Sequence, residues 1–156
     1  VQDIKEKEKL LERVISAHPE CKKLLDLEGV STINAVNLYL SIGCGDIGVF
    51  QSGRDAAACI GLTPLQHSSG GKTKIGTIGK GMKNVSVRSY LVNGAMAVVQ
   101  HVGKREPRTK KEQWIKQLLE RKSKKCVAVA LANKTVRTAF AMLTQGTNYH
   151  AEPLVA

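Results

Sequence analysis

Two adjacent serines, Ser68 and Ser69, stand immediately before a pair of glycines near the middle of the chain. Glycines let a phosphate approach the backbone amides, and a serine beside them can expose its hydroxyl group. Serine is a weak nucleophile until a base, a metal ion or nearby cations activate it. His67 is a candidate base, and Lys72 and Lys74 could stabilise charge on a phosphoryl group. The residues alone leave two interpretations open: catalysis by one of the serines, or a polar loop that caps helices.

This segment does not meet the requirements of a phosphate-binding P-loop. That motif needs a glycine five residues before the glycine of its Gly-Lys-Thr, and Gln66 stands there. A P-loop also leads directly into a helix, whereas residues 75–79 read Ile-Gly-Thr-Ile-Gly. Asp46 and Asp55 are isolated, so the sequence shows no group of acids for two-metal catalysis. The chain alone therefore resembles neither an NTPase nor a complete DNA-cutting enzyme.

Positive charge dominates the chain and is unevenly distributed. It has 24 Lys and Arg against 13 Asp and Glu, a formal charge of +11. No acid occurs from residue 56 to residue 105, and residues 104–125 add a second basic stretch. The basic residues of the acid-free stretch are Lys72, Lys74, Lys80, Lys83, Arg88, Lys104 and Arg105. A solvated basic face is the alternative, but the missing acids favour a polyanionic partner: nucleic acid first, an acidic membrane surface second.

Length and composition narrow the class of protein. The chain has 156 residues, of which 42% are hydrophobic, enough for the core of one domain. It has no secretion signal and no run of about 20 apolar residues, so we expect a cytoplasmic protein without a membrane span. Its four cysteines form no Cys-x-x-Cys pair, which argues against a disulfide scaffold or a zinc module. The chain starts at Val1 inside a charged helical stretch, so we expect a fragment of a longer protein.

Residue patterns predict a mainly α fold: a helical bundle with a helix-hairpin-helix, a glycine-rich basic loop and an N-terminal coiled-coil stub. Helical periodicity predicts helices at 3–17, 53–60, 84–102, 110–122 and 126–144. Ser52 is the expected cap of the second of these helices. Residues 61–81 predict a long functional loop, unless the alternation in Lys-Thr-Lys-Ile-Gly-Thr-Ile forms a short hairpin. The chain then divides into three parts: the end of a coiled-coil linker helix (1–18), a domain (19–145) and a tail with little structure (146–156).

Residues 20–42 are the predicted helix-hairpin-helix. Two short helices flank the turn Leu-Glu-Gly-Val-Ser at 27–31, in which Gly29 permits a positive φ. In that motif the amides of the turn meet a DNA phosphate, here those of Gly29, Val30 and Ser31. An ordinary αα-hairpin within a bundle is the alternative.

The run Arg-Asp-Ala-Ala-Ala-Cys-Ile-Gly-Leu-Thr-Pro-Leu-Gln-His-Ser-Ser-Gly-Gly-Lys-Thr at 54–73 resembles the hallmark of one transposase family. Residues 127–137, Val-Ala-Val-Ala-Leu-Ala-Asn-Lys-Thr-Val-Arg, are similar to the last helix of that family, and the turn at 27–30 to its helix-hairpin-helix. The family comprises bacterial insertion-sequence transposases with an N-terminal RuvC-like DEDD domain and a C-terminal serine-bearing domain. They are described as bridge-RNA-guided recombinases, and the resemblance covers essentially the whole chain.

The resemblance implies a composite active site. The family serine directly precedes a glycine, which assigns the role of nucleophile to Ser69 through a covalent phosphoserine link to DNA. Acidic residues of the DEDD domain bind Mg²⁺, and a structured bridge RNA pairs with both DNAs within a synaptic oligomer. That domain is missing from this sequence, so we expect the chain to bind nucleic acid without recombining it.

The resemblance also implies contacts to phosphates around the serine. The expected nucleic-acid-binding residues are Ser68, Gly70, Lys72, Lys74, Lys80, Lys83 and Arg88. Residues 79–82 read Gly-Lys-Gly-Met where the family has a Ser-Lys-Arg-Gly-like block, so only Lys80 is kept there. A non-catalytic module for nucleic-acid binding or oligomerisation is the rival interpretation.

Overall fold

The computed structural model describes residues 2–43, 49–78 and 85–155, which form a mainly helical fold as predicted. The helices are α1 (Gln2–Ala17), α2 (Pro19–Lys23), α3 (Thr32–Leu38), α4 (Gly53–Cys59), α5 (Val85–Gly103), α6 (Lys110–Leu119) and α7 (Lys124–Gln145). A 3₁₀ turn at Leu24–Asp26 follows α2, and a π-helical turn at Tyr39–Gly43 follows α3. The strands are β1 (Pro64–Ser69) and β2 (Lys72–Ile78).

Helices α5 and α7 form the centre of the core. They pack along each other, α4 lies against α7, and α3 lies against α5 and α1. The buried residues of α7 recur every three or four positions: Val127, Ala128, Leu131, Ala132, Thr135, Val136, Ala139 and Met142. This helix is long and apolar enough in composition to cross a membrane. Its buried face and its position in the core identify it as the central helix of a folded domain.

Side-chain caps define the starts of three helices. The hydroxyl oxygens of Ser52, Thr109 and Ser123 accept hydrogen bonds from amides at the beginning of α4, α6 and α7. The Ser52 cap is the predicted one, and its hydroxyl also donates to the Asp55 carboxylate at 2.9 Å. Gly146 ends α7 in the left-handed conformation, with φ +65°.

Residues 64–78 form an antiparallel hairpin, so the long loop predicted across 61–81 is wrong for this part. The alternation in Lys-Thr-Lys-Ile-Gly-Thr-Ile is strand β2, which was the alternative. Gly70 and Gly71 are the two turn residues, with φ +59° and +77°. Two consecutive positive φ values match the right-handed twist of a hairpin and favour glycine at both positions. The turn chemistry therefore outweighs the glycine content that suggested a loop.

The turn between α2 and α3 lies directly on the backbone of α5. Gly29 has φ +78°, as predicted, and a Cβ on it would lie 2.8 Å from the carbonyl oxygen of Gly94. Asn34 of α3 is only 3% exposed, and its Nδ2 donates to the carbonyl oxygens of Gly29 at 3.3 Å and Tyr90 at 3.2 Å. Two glycines and one buried amide therefore join the turn to α5.

The C-terminal tail has more structure than predicted. The amide of Lys110 donates to the carbonyl of Glu152 at 2.9 Å, and the amide of Leu154 to the carbonyl of Arg108 at 3.0 Å. The side chains of Lys110 and Glu152 form an ion pair at 2.8 Å. The tail is thus paired, strand-like, with the segment that leads into α6. Its composition gave no sign of this, because the partner segment lies about forty residues away in sequence.

Glu112 holds the connection between α5 and α6. Its carboxylate accepts from both terminal nitrogens of Arg105 and, at 2.6 Å, from the amide of Arg108, while its own amide donates to Thr109 Oγ1. Two effects act on the pKa of Glu112 in opposite directions. Partial burial alone would raise it, but the hydrogen bonds from Arg105 and Arg108 and the charge of Arg105 together outweigh burial. The pKa of Glu112 therefore lies below its usual value.

We expect Glu112→Gln to lower stability at pH 7 by about 1–3 kcal/mol, because charge-assisted hydrogen bonds are lost. A lowered folded-state pKa stabilises the protein above the unfolded pKa of about 4.3, and this stabilisation disappears as the pH falls through the folded-state pKa. The difference in free energy of unfolding between wild type and variant should therefore shrink in acid. Urea denaturation between pH 7 and pH 3 measures it, with the exposed Glu106→Gln as control. A difference that stays constant with pH would contradict this account.

Candidate nucleic-acid interface

The hairpin places the predicted nucleophile and two lysines on one face. Ser69 pairs with Lys72, and His67 pairs with Lys74. Directly paired residues project to the same side of a hairpin, and residues two apart in a strand share a face. His67, Ser69, Lys72 and Lys74 therefore form one surface, which we call the serine face.

Ser68 lies on the opposite face of the hairpin. It pairs with Thr73, and the neighbouring pair on this side is Gln66 with Ile75. Ile75 is 74% exposed, so this face is partly apolar and open to solvent. The register thus separates two serines that are adjacent in sequence. Only Ser69 shares a surface with lysines and a histidine.

The tip of the hairpin protrudes from the helical bundle. Every residue of β2 is exposed, and Leu65 is the only residue of β1 that is partly covered. No atom of the described residues lies within 4 Å of the position that a Cβ on Gly70 or Gly71 would occupy. Among the described residues, no side chain forms a hydrogen bond with the Ser69 hydroxyl. The hydroxyl is therefore accessible to a large ligand.

The base of the hairpin is fixed at both ends. The Arg88 guanidinium of α5 donates to the carbonyl oxygen of Ile78 at 3.3 Å, and Asn133 Nδ2 of α7 donates to that of Leu62 at 3.0 Å. Strand β2 rises about 3.3 Å per residue, so Arg88 is bound about 20 Å from the tip. Arg88 and Ser69 thus cannot hold the same phosphate group.

Two of the predicted nucleic-acid-binding residues, Lys80 and Lys83, lie outside the described residues, as does the block 79–82. Ser68, Gly70, Lys72 and Lys74 all lie in the distal half of the hairpin. The structure therefore brings together the residues nearest the serine, and it places Arg88 at the other end.

The turn predicted to meet a phosphate is partly occupied by internal bonds. The amide of Val30 donates to the carbonyl of Leu27 at 3.1 Å. Ser31 precedes α3 in the capping position and is exposed, but its side chain makes no cap hydrogen bond. Phosphate binding at Gly29, Val30 and Ser31 stays a prediction, with the Val30 amide already bonded within the turn.

A partly buried ion pair neutralises the acid of this turn. The Glu28 carboxylate accepts from Lys111 Nζ at 2.6 Å and from the Tyr149 hydroxyl at 2.7 Å, and Lys111 also lies 4.2 Å from the centre of the Tyr149 ring. Burial and the adjacent Glu28 raise the pKa of Tyr149, so its hydroxyl keeps the proton that it donates. The carboxylate therefore offers little repulsion to an approaching phosphate.

Sequence reasoning missed a second basic surface, a groove of about 990 Å³ between α4, α6 and α7. Arg54, Trp114, Lys134 and Arg137 line it. The sequence held one sign of it, since Lys134 and Arg137 interrupt the apolar pattern of α7 three residues apart. Trp114 comes from a different helix, and no local pattern connects it to them.

The side chains of the described residues do not group into a Mg²⁺ site. Within residues 2–43, 49–78 and 85–155, no three His, Cys, Asp or Glu side chains come together in a group that could hold a metal ion. Asp46 lies outside these ranges. What the described part of the chain offers at the serine face is an exposed hydroxyl group beside cations.

One family model and several curated relatives match this chain, and all of them are named as transposases. The model of the "Transposase IS116/IS110/IS902 family" matches residues 21–112. The "Transposase for insertion sequence element IS1111A" of Coxiella burnetii is 38% identical over 142 residues, covering 91% of this chain and 38% of the relative. A "Probable family 20 transposase" of Pseudomonas aeruginosa is 40% identical over 144 residues, with 89% of this chain and 41% of the relative covered. A "Putative transposase y4pF/y4sB" of Sinorhizobium fredii is 41% identical over 141 residues, covering 88% and 35%. The chain thus spans about two fifths of the length of these curated relatives.

Proposed function

Because the chain belongs to the IS116/IS110/IS902 transposase family, we propose that it supplies the serine nucleophile of a DNA transposase, and that this nucleophile is Ser69. The observation that carries the proposal is the serine face. The register groups Ser69 with Lys72, Lys74 and His67 at the exposed end of the hairpin. A nucleophile that must reach a phosphodiester within a DNA duplex needs this exposure. The ammonium groups of Lys72 and Lys74 can stabilise the extra negative charge of the transition state.

The proposed reaction is a phosphoryl transfer without net hydrolysis. Ser69 Oγ attacks phosphorus, an Oγ–P bond forms, and the P–O bond to one deoxyribose breaks. The imidazole of His67 accepts the Oγ proton and can return it to the departing oxygen. A hydroxyl of a second strand then attacks the phosphoserine, which restores a phosphodiester and releases Ser69. Strand exchange therefore conserves the number of phosphodiester bonds.

The other nucleic-acid contacts are assigned by their position relative to this reaction. Lys72 and Lys74 contact the scissile phosphate, while Ser68 and Gly70 contact the adjoining backbone. Arg88 lies at the base of the hairpin and contacts a phosphate further along the duplex. Lys80 and Lys83 are assigned as phosphate contacts from the family resemblance alone. The turn at Gly29 and Ser31 provides a separate phosphate contact.

The remaining partners follow from the family resemblance. We assign Mg²⁺ to the acidic residues of a DEDD domain and not to this chain. A structured bridge RNA, pairing with both DNAs, selects the sites, and the synaptic complex is a homo-oligomer in the bacterial cytoplasm. On its own, this chain binds nucleic acid and does not recombine it.

A covalent trap tests the proposal. The chain joined to the DEDD domain of its element is mixed with bridge RNA, Mg²⁺ and labelled DNA, and then denatured. We expect a denaturation-resistant adduct whose peptide map places the DNA on the β1–β2 hairpin. DNA cleavage without an adduct would mean that water is the nucleophile, and that this chain only holds the substrate.

The rival function is a binding module without a covalent role, and the exposed cations of the hairpin support it. Under either function, Lys72→Gln with Lys74→Gln should weaken DNA binding and reduce the slope of log K against log salt by about 1.8, or about 0.9 per lost phosphate contact. The control is Lys5→Gln with Lys9→Gln, two exposed lysines of α1. Equal slopes for the hairpin variant and the wild type would show that the serine face does not bind phosphate.

A further inference from the structure

The groove between α4, α6 and α7 has the charge of an anion-binding site. Arg54 comes from the first turn of α4, and Lys134 and Arg137 come from α7. Among the described residues, none of those that line the groove is acidic. Two acids lie beside it: the Asp55 carboxylate accepts a hydrogen bond from the groove residue Ser52, and the charge of Glu152 interacts with Lys134. Three cations against two acids outside its lining leave the concave surface positive, which attracts a phosphate.

Two walls of the groove, α4 and α7, approach each other closely. The position of a Cβ on Gly53 would be 3.1 Å from the Cα of Arg137, so α4 and α7 approach with no intervening side chain. Phe140 forms part of the wall and is braced edge-on by Phe50, with ring centres 6.4 Å apart. The groove is therefore a preformed feature of the core helices.

An aromatic side chain on the groove wall indicates that the anion carries a base. Trp114 is half-buried, and Lys134 Nζ lies 4.7 Å from the centre of its ring. An exposed cation over an indole is held more weakly than a nucleobase stacked on one. A nucleotide can thus displace the ammonium from the ring while the same ammonium turns to the phosphate of that nucleotide. Trp114 then stacks on the base, and Lys134 pairs with the phosphate of the same ligand.

We propose that this groove binds an unpaired nucleotide of single-stranded DNA. The base stacks on Trp114, and Lys134 and Arg137 hold the adjoining phosphate. The inference rests on the proposed function, because strand exchange requires DNA strands that leave their duplex. Ala130 and Asn133 line both this groove and the neighbouring cleft of about 420 Å³ at the base of the hairpin. A strand released near the hairpin can therefore continue into the groove.

Intrinsic fluorescence tests the groove directly, because Trp114 is the only tryptophan of the chain. A short oligothymidine should quench this fluorescence, whereas a blunt duplex of the same sequence should not. With a dye-labelled oligothymidine, Trp114→Leu should weaken binding about tenfold, and Trp114→Phe should retain most of the affinity because phenylalanine still stacks. Arg137→Gln should also weaken binding, while Arg121→Gln, an exposed arginine outside the groove, should not.

The outcomes separate this inference from the nucleophile proposal. If Lys72→Gln with Lys74→Gln leaves the quenching intact while Arg137→Gln abolishes it, the groove is a site distinct from the hairpin. Unquenched fluorescence, or equal affinities of wild type, Trp114→Leu and Arg137→Gln with unchanged melting temperatures, would overturn the proposal. Tighter binding of oligouridine than of oligothymidine would overturn the assignment to DNA. The Ser69 adduct is measured independently, so either idea can fail without the other.

Discussion

Replacing Ser69 with alanine is expected to reduce DNA cleavage by the complete transposase at least about a thousandfold, as the loss of an enzyme's nucleophile generally does. Ser68→Ala is expected to leave most of the cleavage rate. The two serines are adjacent in sequence, but they pair with Lys72 and Thr73 respectively, so their hydroxyls project from opposite faces of the hairpin. Ser68 therefore cannot take the place of Ser69 without reversing the hairpin.

The measurement compares single-turnover cleavage and covalent adduct for the two variants, in protein that contains the DEDD domain. The DNA affinity of Ser69→Ala is measured in parallel and should change less than about twofold, because the exposed Ser69 hydroxyl is not part of the folded core. If Ser68→Ala abolishes the adduct and Ser69→Ala does not, the assignment of the nucleophile is wrong. If both variants cleave normally, the chain is the binding module of the rival interpretation.

Helices of this chain were predictable because their signals are local. The apolar repeat of α7 and the capping serine of α4 both lie within a few residues of the features they determine. The glycine pair at 70–71 was an equally local hairpin signal. The overall glycine content of 61–81 favours a loop and hides this signal in the sequence. The two turn glycines at 70–71 therefore indicate the structure of this segment better than the average composition of residues 61–81.

Contacts between distant segments were beyond sequence reasoning. Glu28 meets Lys111 and Tyr149, residues that lie 83 and 121 positions later in the chain. The basic groove needs Trp114 and Arg137 from two helices side by side. Such pairings depend on how helices pack, which no spacing within one helix reveals. The candidate nucleophile was identified from a motif resemblance, whereas its separation from Ser68 needed the strand register.

The largest expected effect on stability comes from a single methyl group on α5. A Cβ on Gly94 would overlap the carbonyl oxygen of Gly29, and it would lie 3.0 Å from Asn34 Nδ2. The first clash is with backbone, which cannot rotate away as a side chain can. Relief requires the turn to move off the helix, and that breaks the hydrogen bonds by which Asn34 joins Gly29 to Tyr90.

We therefore expect Gly94→Ala to lower the free energy of unfolding by about 3–5 kcal/mol, a large part of the stability of a typical domain. In a helix interior, alanine is intrinsically more favourable than glycine by about 1 kcal/mol. The substitution therefore destabilises the protein only because the clash with the Gly29 carbonyl costs more than this gain. Gly103→Ala, on the same helix, is the matched control, since its Cβ would be 3.7 Å from Leu119 and in ordinary contact. Thermal unfolding should show a fall of about 10 °C or more for Gly94→Ala, and no fall for Gly103→Ala. Equal melting temperatures would mean that the turn and α5 do not approach this closely.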